Sequence, residues 1–75
     1  MEKLEKISGI IENVVFRNEE NDYSVIEIID SDNLFVTAVG VIPFPSEGEN
    51  VVLTGYWTYH KDFGRQFSFS VFEKR

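Results

Sequence analysis

Five short runs of β-branched and aromatic residues make up most of this 75-residue chain, and turn-forming clusters separate them. The runs are ISGIIENVVF, YSVIEII, LFVTAVGVI, NVVLTGYWTY and RQFSFSVF. Between them stand Asn18-Glu-Glu-Asn21-Asp22, Asp30-Ser-Asp-Asn33, Pro43-Phe-Pro-Ser-Glu-Gly48 and Lys61-Asp-Phe-Gly64, each rich in residues that favour turns. Only the opening MEKLEK could wind into a helix, and six residues cannot hold one alone.

Five strands left as one flat sheet would expose a broad apolar face and two edges open to pairing with other chains. Curling the sheet onto itself removes both problems. The expected fold is all-β: a small five-stranded antiparallel, partly open barrel of the oligonucleotide/oligosaccharide-binding (OB) kind. Gly9, Gly40 and Gly55 lie within strands, where glycine marks the bulges and bends that a small barrel needs. An SH3-like barrel or a two-sheet sandwich shares this strand pattern and stays open at this point.

Alternation suggests what fills the barrel. In the last run Phe67, Phe69 and Val71 alternate with Gln66, Ser68 and Ser70, the pattern of a strand with one dry and one wet face. The fourth run opposes Val51, Leu53, Gly55, Trp57 and Tyr59 to Val52, Thr54, Tyr56, Thr58 and His60, so both its faces carry apolar or aromatic groups. Trp57, Phe67, Phe69 and Val71 are the expected structural core. The second run is apolar on both faces, Val25 and Ile29 against Ile26 and Ile28, which predicts a central strand.

A domain of this length buries only about 60% of its unfolded surface. With no cysteine in the chain, neither disulfides nor zinc–thiolate sites can reinforce it. A dense apolar core has to do so, and 43% hydrophobic with 15% aromatic residues can supply one. The start lacks the apolar stretch of a signal peptide, and the apolar runs are too short to span a bilayer as helices. The expected location is cytoplasmic, without membrane contact. No phosphate-loop or dinucleotide-binding motif is present, and His60 with Ser68 or Ser70 and Asp62 reads as solvated turn chemistry rather than a triad. Glu19, Glu20, Asp22, Asp30 and Asp32 lack the ordered spacing of a calcium loop. The expectation is no catalytic residue, no metal and no cofactor in this domain.

One stretch stands apart. YWTYHKDFGRQF, residues 56–67, packs five aromatic rings and three basic side chains around a turn. Residues 1–37 carry three bases against nine acids, whereas residues 51–75 carry four bases against two. The chain as a whole has a net charge of −6, so its charge is two-sided and its positive end coincides with the aromatic hairpin. Single-stranded nucleic acid is held by aromatic platforms for bases and cations for phosphates. Tyr56, Tyr59, His60, Lys61, Phe63 and Arg65 supply both and are the candidate contacts. The alternative is that the large rings fill the barrel and Lys61 to Gly64 form an ordinary turn, with Gly64 at positive φ. Few cations and a net negative charge predict weak binding by this domain alone.

Three segments carry a family likeness: Phe16-Arg-Asn18-Glu19-Glu-Asn21-Asp-Tyr23-Ser-Val25, then Val39-Gly40-Val-Ile-Pro43 with Gly48-Glu49, then Gly55-Tyr-Trp57-Thr-Tyr-His60-Lys-Asp-Phe63-Gly64-Arg-Gln66-Phe67. In order and spacing, from about Ile7 to Phe72, the chain resembles the N-terminal domain of the RecD-like ATP-dependent DNA helicases, the long bacterial form of the exodeoxyribonuclease V alpha subunit family. The third segment is the specific one. At Asn21-Asp22 the chain departs from the family's usual Asn-Gly, and Asp tolerates the left-handed backbone that this turn needs. The resemblance implies a single OB-like domain over residues 1–75, cut from the N-terminus of a larger helicase. It implies that the parent hydrolyses ATP with Mg²⁺ and unwinds DNA with five-prime to three-prime polarity in repair. Its motor residues have no counterpart here, and His60, Gly64 and Gln66 match as a signature of the hairpin's structure as much as a DNA site. Two roles follow as expectations: weak contact with DNA on behalf of the motor domains, or docking on the motor or a partner without touching DNA. An edge strand such as the last could also pair two isolated copies.

Overall fold

The computed structural model describes residues 3–62 and 64–74. It contains five strands: β1 (Glu5–Arg17), β2 (Tyr23–Asp30), β3 (Phe35–Val41), β4 (Asn50–His60) and β5 (Gly64–Lys74). Glu5 and Lys6 of the possible opening helix join β1, opposite Gly55 and Thr54 of β4. The strands close into a barrel in the ring order β1-β2-β3-β5-β4. The all-β, OB-like barrel expected from the run pattern is the fold observed, with one correction. It is a closed ring, and β3 meets β5 in parallel at Ala38↔Phe67 and Val39↔Ser68, while the other four pairs are antiparallel. Parity is the reason: an odd number of strands cannot alternate in direction all the way round a ring.

The connections work through local side-chain bonds. The Asn18 carboxamide accepts from the Glu20 backbone N–H at 2.9 Å and Asn21 does the same for Tyr23, the Asx geometry that turns use. Asp22 takes up the left-handed backbone, φ 61, so the substitution of Asp for Gly leaves the turn intact. Asp30 organises the second hairpin by accepting from the N–H groups of Asp32 and Leu34 at 2.9 and 3.0 Å. The loop after β3 is tied to β1 by Gly48 N–H to Ile11 O and Ile11 N–H to Glu49 O, at 2.7 and 2.9 Å. It carries the buried Ile42 into the barrel.

The core comprises Ile11, Ile26, Ile28, Ala38, Ile42, Val51, Leu53, Phe67 and Phe69, with Ile7, Val14, Val36, Trp57 and Phe72 packed around it. Phe67 and Phe69 lie where the alternation places them. Val71 does not: it is 52% exposed, and Phe72 packs inward instead. A bulge causes the inversion. Thr54 pairs with Val71 and Gly55 with Phe69, so Ser70 is an extra residue and every side chain beyond it changes face. Gly55 makes room for this kink, since a Cβ there would collide with the Ser68 carbonyl oxygen and the Phe69 Cα. Trp57, also expected in the core, is half-buried at the barrel's mouth rather than inside it.

The inversion has a direct consequence for stability. Phe67→Ala is expected to cost about 3–5 kcal/mol, enough to unfold much of a domain this small, whereas Val71→Ala should cost about 0.5 kcal/mol or less. Urea unfolding measures both, and a large loss in Val71→Ala would put that side chain back inside.

Candidate functional site

The outer wall of the barrel is nearly as apolar as the inner one over three strands. In β2, Ser24, Ile26 and Ile28 are buried inside, so Tyr23, Val25, Glu27 and Ile29 face outward. Cross-strand pairing extends these into rows: Phe16–Val25–Val39, Asn13–Glu27–Thr37 and Ile10–Ile29–Phe35. Two register shifts in β1, at Glu12 and at Val15, keep Ile11 and Val14 inside while turning Phe16 out. The result is a polar row between two apolar ones.

A groove of about 490 Å³ lies along this wall. Val25, Glu27, Thr37 and Val39 form its floor, and Val15, Phe16 and Tyr23 line one side. His60 and Gln66 from the β4–β5 hairpin line the other. The hairpin therefore overhangs the wall, which explains why Val39 is buried although it points away from the barrel interior.

Of the six hairpin residues expected to act together, the five described ones do not share one face. Tyr59 pairs with Arg65 and Trp57 with Phe67, whereas Thr58 pairs with Gln66, His60 with Gly64 and Tyr56 with Ser68. On the first face the Trp57 ring meets Phe67 edge-on, centroids 5.0 Å apart at 72°. The Arg65 guanidinium lies 3.8 Å over the Trp57 ring. Arg65 is thus a lid on the tryptophan, and Tyr59 stands beside it, 80% exposed. On the second face His60 reaches the groove, its Nδ1 accepting from the Asp62 backbone N–H at 3.1 Å. This bond shapes the turn, with Gly64 at φ 80 completing it. Lys61 is exposed at the hairpin tip, and Phe63 lies outside the described residues.

Charge around the groove is mixed. Arg17 is bound to Asp22 at 2.8 Å, so part of its charge is already neutralised. Glu27 sits half-buried on the floor. Beyond Arg17, Phe44 is 75% exposed with φ 52, a conformation costing a bulky side chain about 1–2 kcal/mol. Arg17 stacks 5.2 Å from the Phe44 ring, and Lys74 donates to the Phe44 carbonyl at 3.2 Å, which offsets part of that cost.

Sequence reasoning located the hairpin but not the wall beneath it. The apolar outer face of β2 was visible in Val25 and Ile29. The inward turn of Val14 between two outward neighbours, Asn13 and Phe16, was not, because it depends on two bulges that no residue type announces.

The lid arrangement is open to test through the single tryptophan. Arg65→Ala should shift Trp57 emission to the red, raise its quenching by acrylamide and cost about 0.5–1 kcal/mol. An unchanged spectrum would mean that the stack does not cover the ring in solution.

Residues 4–75 match the family model described as ATP-dependent DNA helicase YrrC, OB-fold domain. No curated protein sequence matches the chain.

Proposed function

Because the chain belongs to the family of OB-fold domains of the ATP-dependent DNA helicase YrrC, we propose that it serves a RecD-like helicase by holding single-stranded DNA weakly in the wall groove. The observation carrying this reading is the position of the groove. It lies on the outer β2–β3 face, flanked by the exposed rings of Phe16 and Tyr23 and overhung by the β4–β5 hairpin, the surface that OB folds use for oligonucleotides. Bases stack on these rings and against the Val25–Val39 floor. Lys61 at the hairpin tip and Arg65 on its far face meet phosphates at the rim. ATP, Mg²⁺ and strand separation belong to the parent's motor domains, in a cytoplasmic repair role.

A second reading rests on the other apolar row. Ile10 and Phe35 are exposed, with Leu34 next to them, at the opposite end of the wall. Asp30 and Asp32 border that end, which repels DNA and suits a basic protein surface. Docking on the motor domains through this end is compatible with DNA in the groove.

Fluorescence anisotropy with a labelled single-stranded oligonucleotide separates the two. Tyr23→Ala and Phe16→Ala should each weaken binding by about 5- to 150-fold, the equivalent of one lost stacking contact of about 1–3 kcal/mol. Two or three cations predict a shallow slope of log affinity against log salt, about −1.4 to −2.1. Absence of binding at low salt, with helicase activity lost in Leu34→Ser/Phe35→Ser, would leave docking as the sole role.

A further inference from the structure

Two polar side chains that line the groove make no hydrogen bond or ion pair among the described residues. Gln66 is only 8% exposed, and its amide makes no hydrogen bond among the described residues. It lines the groove beside Val39, with Thr58 opposite it on β4. Glu27 is half-buried among Val25, Val39 and Phe16 on the same surface and forms neither a hydrogen bond nor an ion pair there. A carboxamide so enclosed usually has a partner, yet among the described residues the fully buried unpaired side-chain atom is Arg17 Nε, so the polar ends of Gln66 and Glu27 still reach the groove. Here a carboxylate and a carboxamide are both withheld from the protein's own network and presented to one apolar groove.

Resting on the reading of this groove as a single-strand site, we infer that it selects guanine, read by Glu27 and Gln66. The argument is one of complementary donors and acceptors. An ionised carboxylate accepts hydrogen bonds and cannot donate them, whereas a carboxamide does both. A base facing Glu27 must therefore present two adjacent donors to be held by both oxygens. Guanine does so on its Watson–Crick edge, with N1–H beside the N2 amino group, and its neighbouring O6 accepts from the Gln66 amide. Adenine and cytosine each place a ring-nitrogen acceptor next to their one amino group. Thymine places carbonyl oxygens on both sides of N3–H. Each of these would set a lone pair against a carboxylate oxygen.

The same chemistry explains how an acidic domain can favour DNA at all. Glu27 repels a phosphate but attracts the amino edge of a base, so the groove favours the base and keeps the backbone at its rim.

The test uses short oligothymidylates of equal length carrying one central guanine, adenine, cytosine or inosine, bound to the 75-residue chain at low salt. Guanine should bind roughly tenfold tighter than the others, and inosine, which lacks the N2 amino group, should lose most of that advantage. Glu27→Gln, which keeps shape and removes charge, should bind oligothymidylate as well as or better than the parent while losing the guanine preference. Circular dichroism and the Trp57 emission confirm that this variant is folded. Equal affinity for all four oligonucleotides, or guanine preference retained in Glu27→Gln, overturns the inference and leaves the single-strand reading standing. No binding of any oligonucleotide overturns both.

Discussion

Closure of the ring depends on a kink where β5 crosses Gly55. The extra residue at Ser70 reverses the faces of β5 beyond it, so that one strand can point Phe67 and Phe69 into the barrel at one end and Phe72 at the other. Without the reversal the far half would turn the smaller Val71 inward and leave the larger Phe72 outside. The glycine opposite leaves space for the approach of the Ser68 carbonyl. The kink also lets β5 lie beside β3 for the two parallel pairs that close the ring. Stability in this small domain comes from that enclosure, since it has no cysteine to cross-link and only a modest core.

The bulges of β1 do for the outside what the β5 bulge does for the inside. They keep Ile11 and Val14 in the core and release Phe16 to the surface, where it joins Val25 and Val39 in one row. Bulges in barrels often re-aim side chains in this way near functional surfaces. The hairpin of β4 and β5 then roofs the row with its second face, while its first face closes the barrel's mouth with Trp57 under Arg65. One ribbon therefore serves as plug on one side and groove wall on the other.

Electrostatics limits what this domain can do at a distance. A domain with net charge −6 cannot attract DNA from a distance, and Arg17 and Lys74 are engaged with Asp22 and Glu49. Any hold on a strand delivered by a motor would come from short-range contacts: ring faces, the valine floor, and the polar pair Glu27 and Gln66. Such a hold would be weak and only mildly dependent on salt, as two or three phosphate contacts at the rim imply.

Strand number, the turns and the all-β character were legible in residue order alone, because β-branched runs and Asx or glycine turns act locally; that the barrel closes fully, through a parallel β3–β5 pairing, was not. The left-handed backbone at Asp22 and Gly64 was legible for the same reason. The location of an aromatic, basic hairpin could be read as well. Which of the β4 side chains share a face followed from alternation, but what each face meets did not, since the barrel, not the hairpin, decides that. Val71 and Phe72 exchanged places, and Val14 turned inward, through bulges set by how neighbouring strands must pack to close a ring. The groove joins Phe16, Val25, Val39 and Gln66 from four strands, and only tertiary closure brings residues so far apart in the chain to one surface.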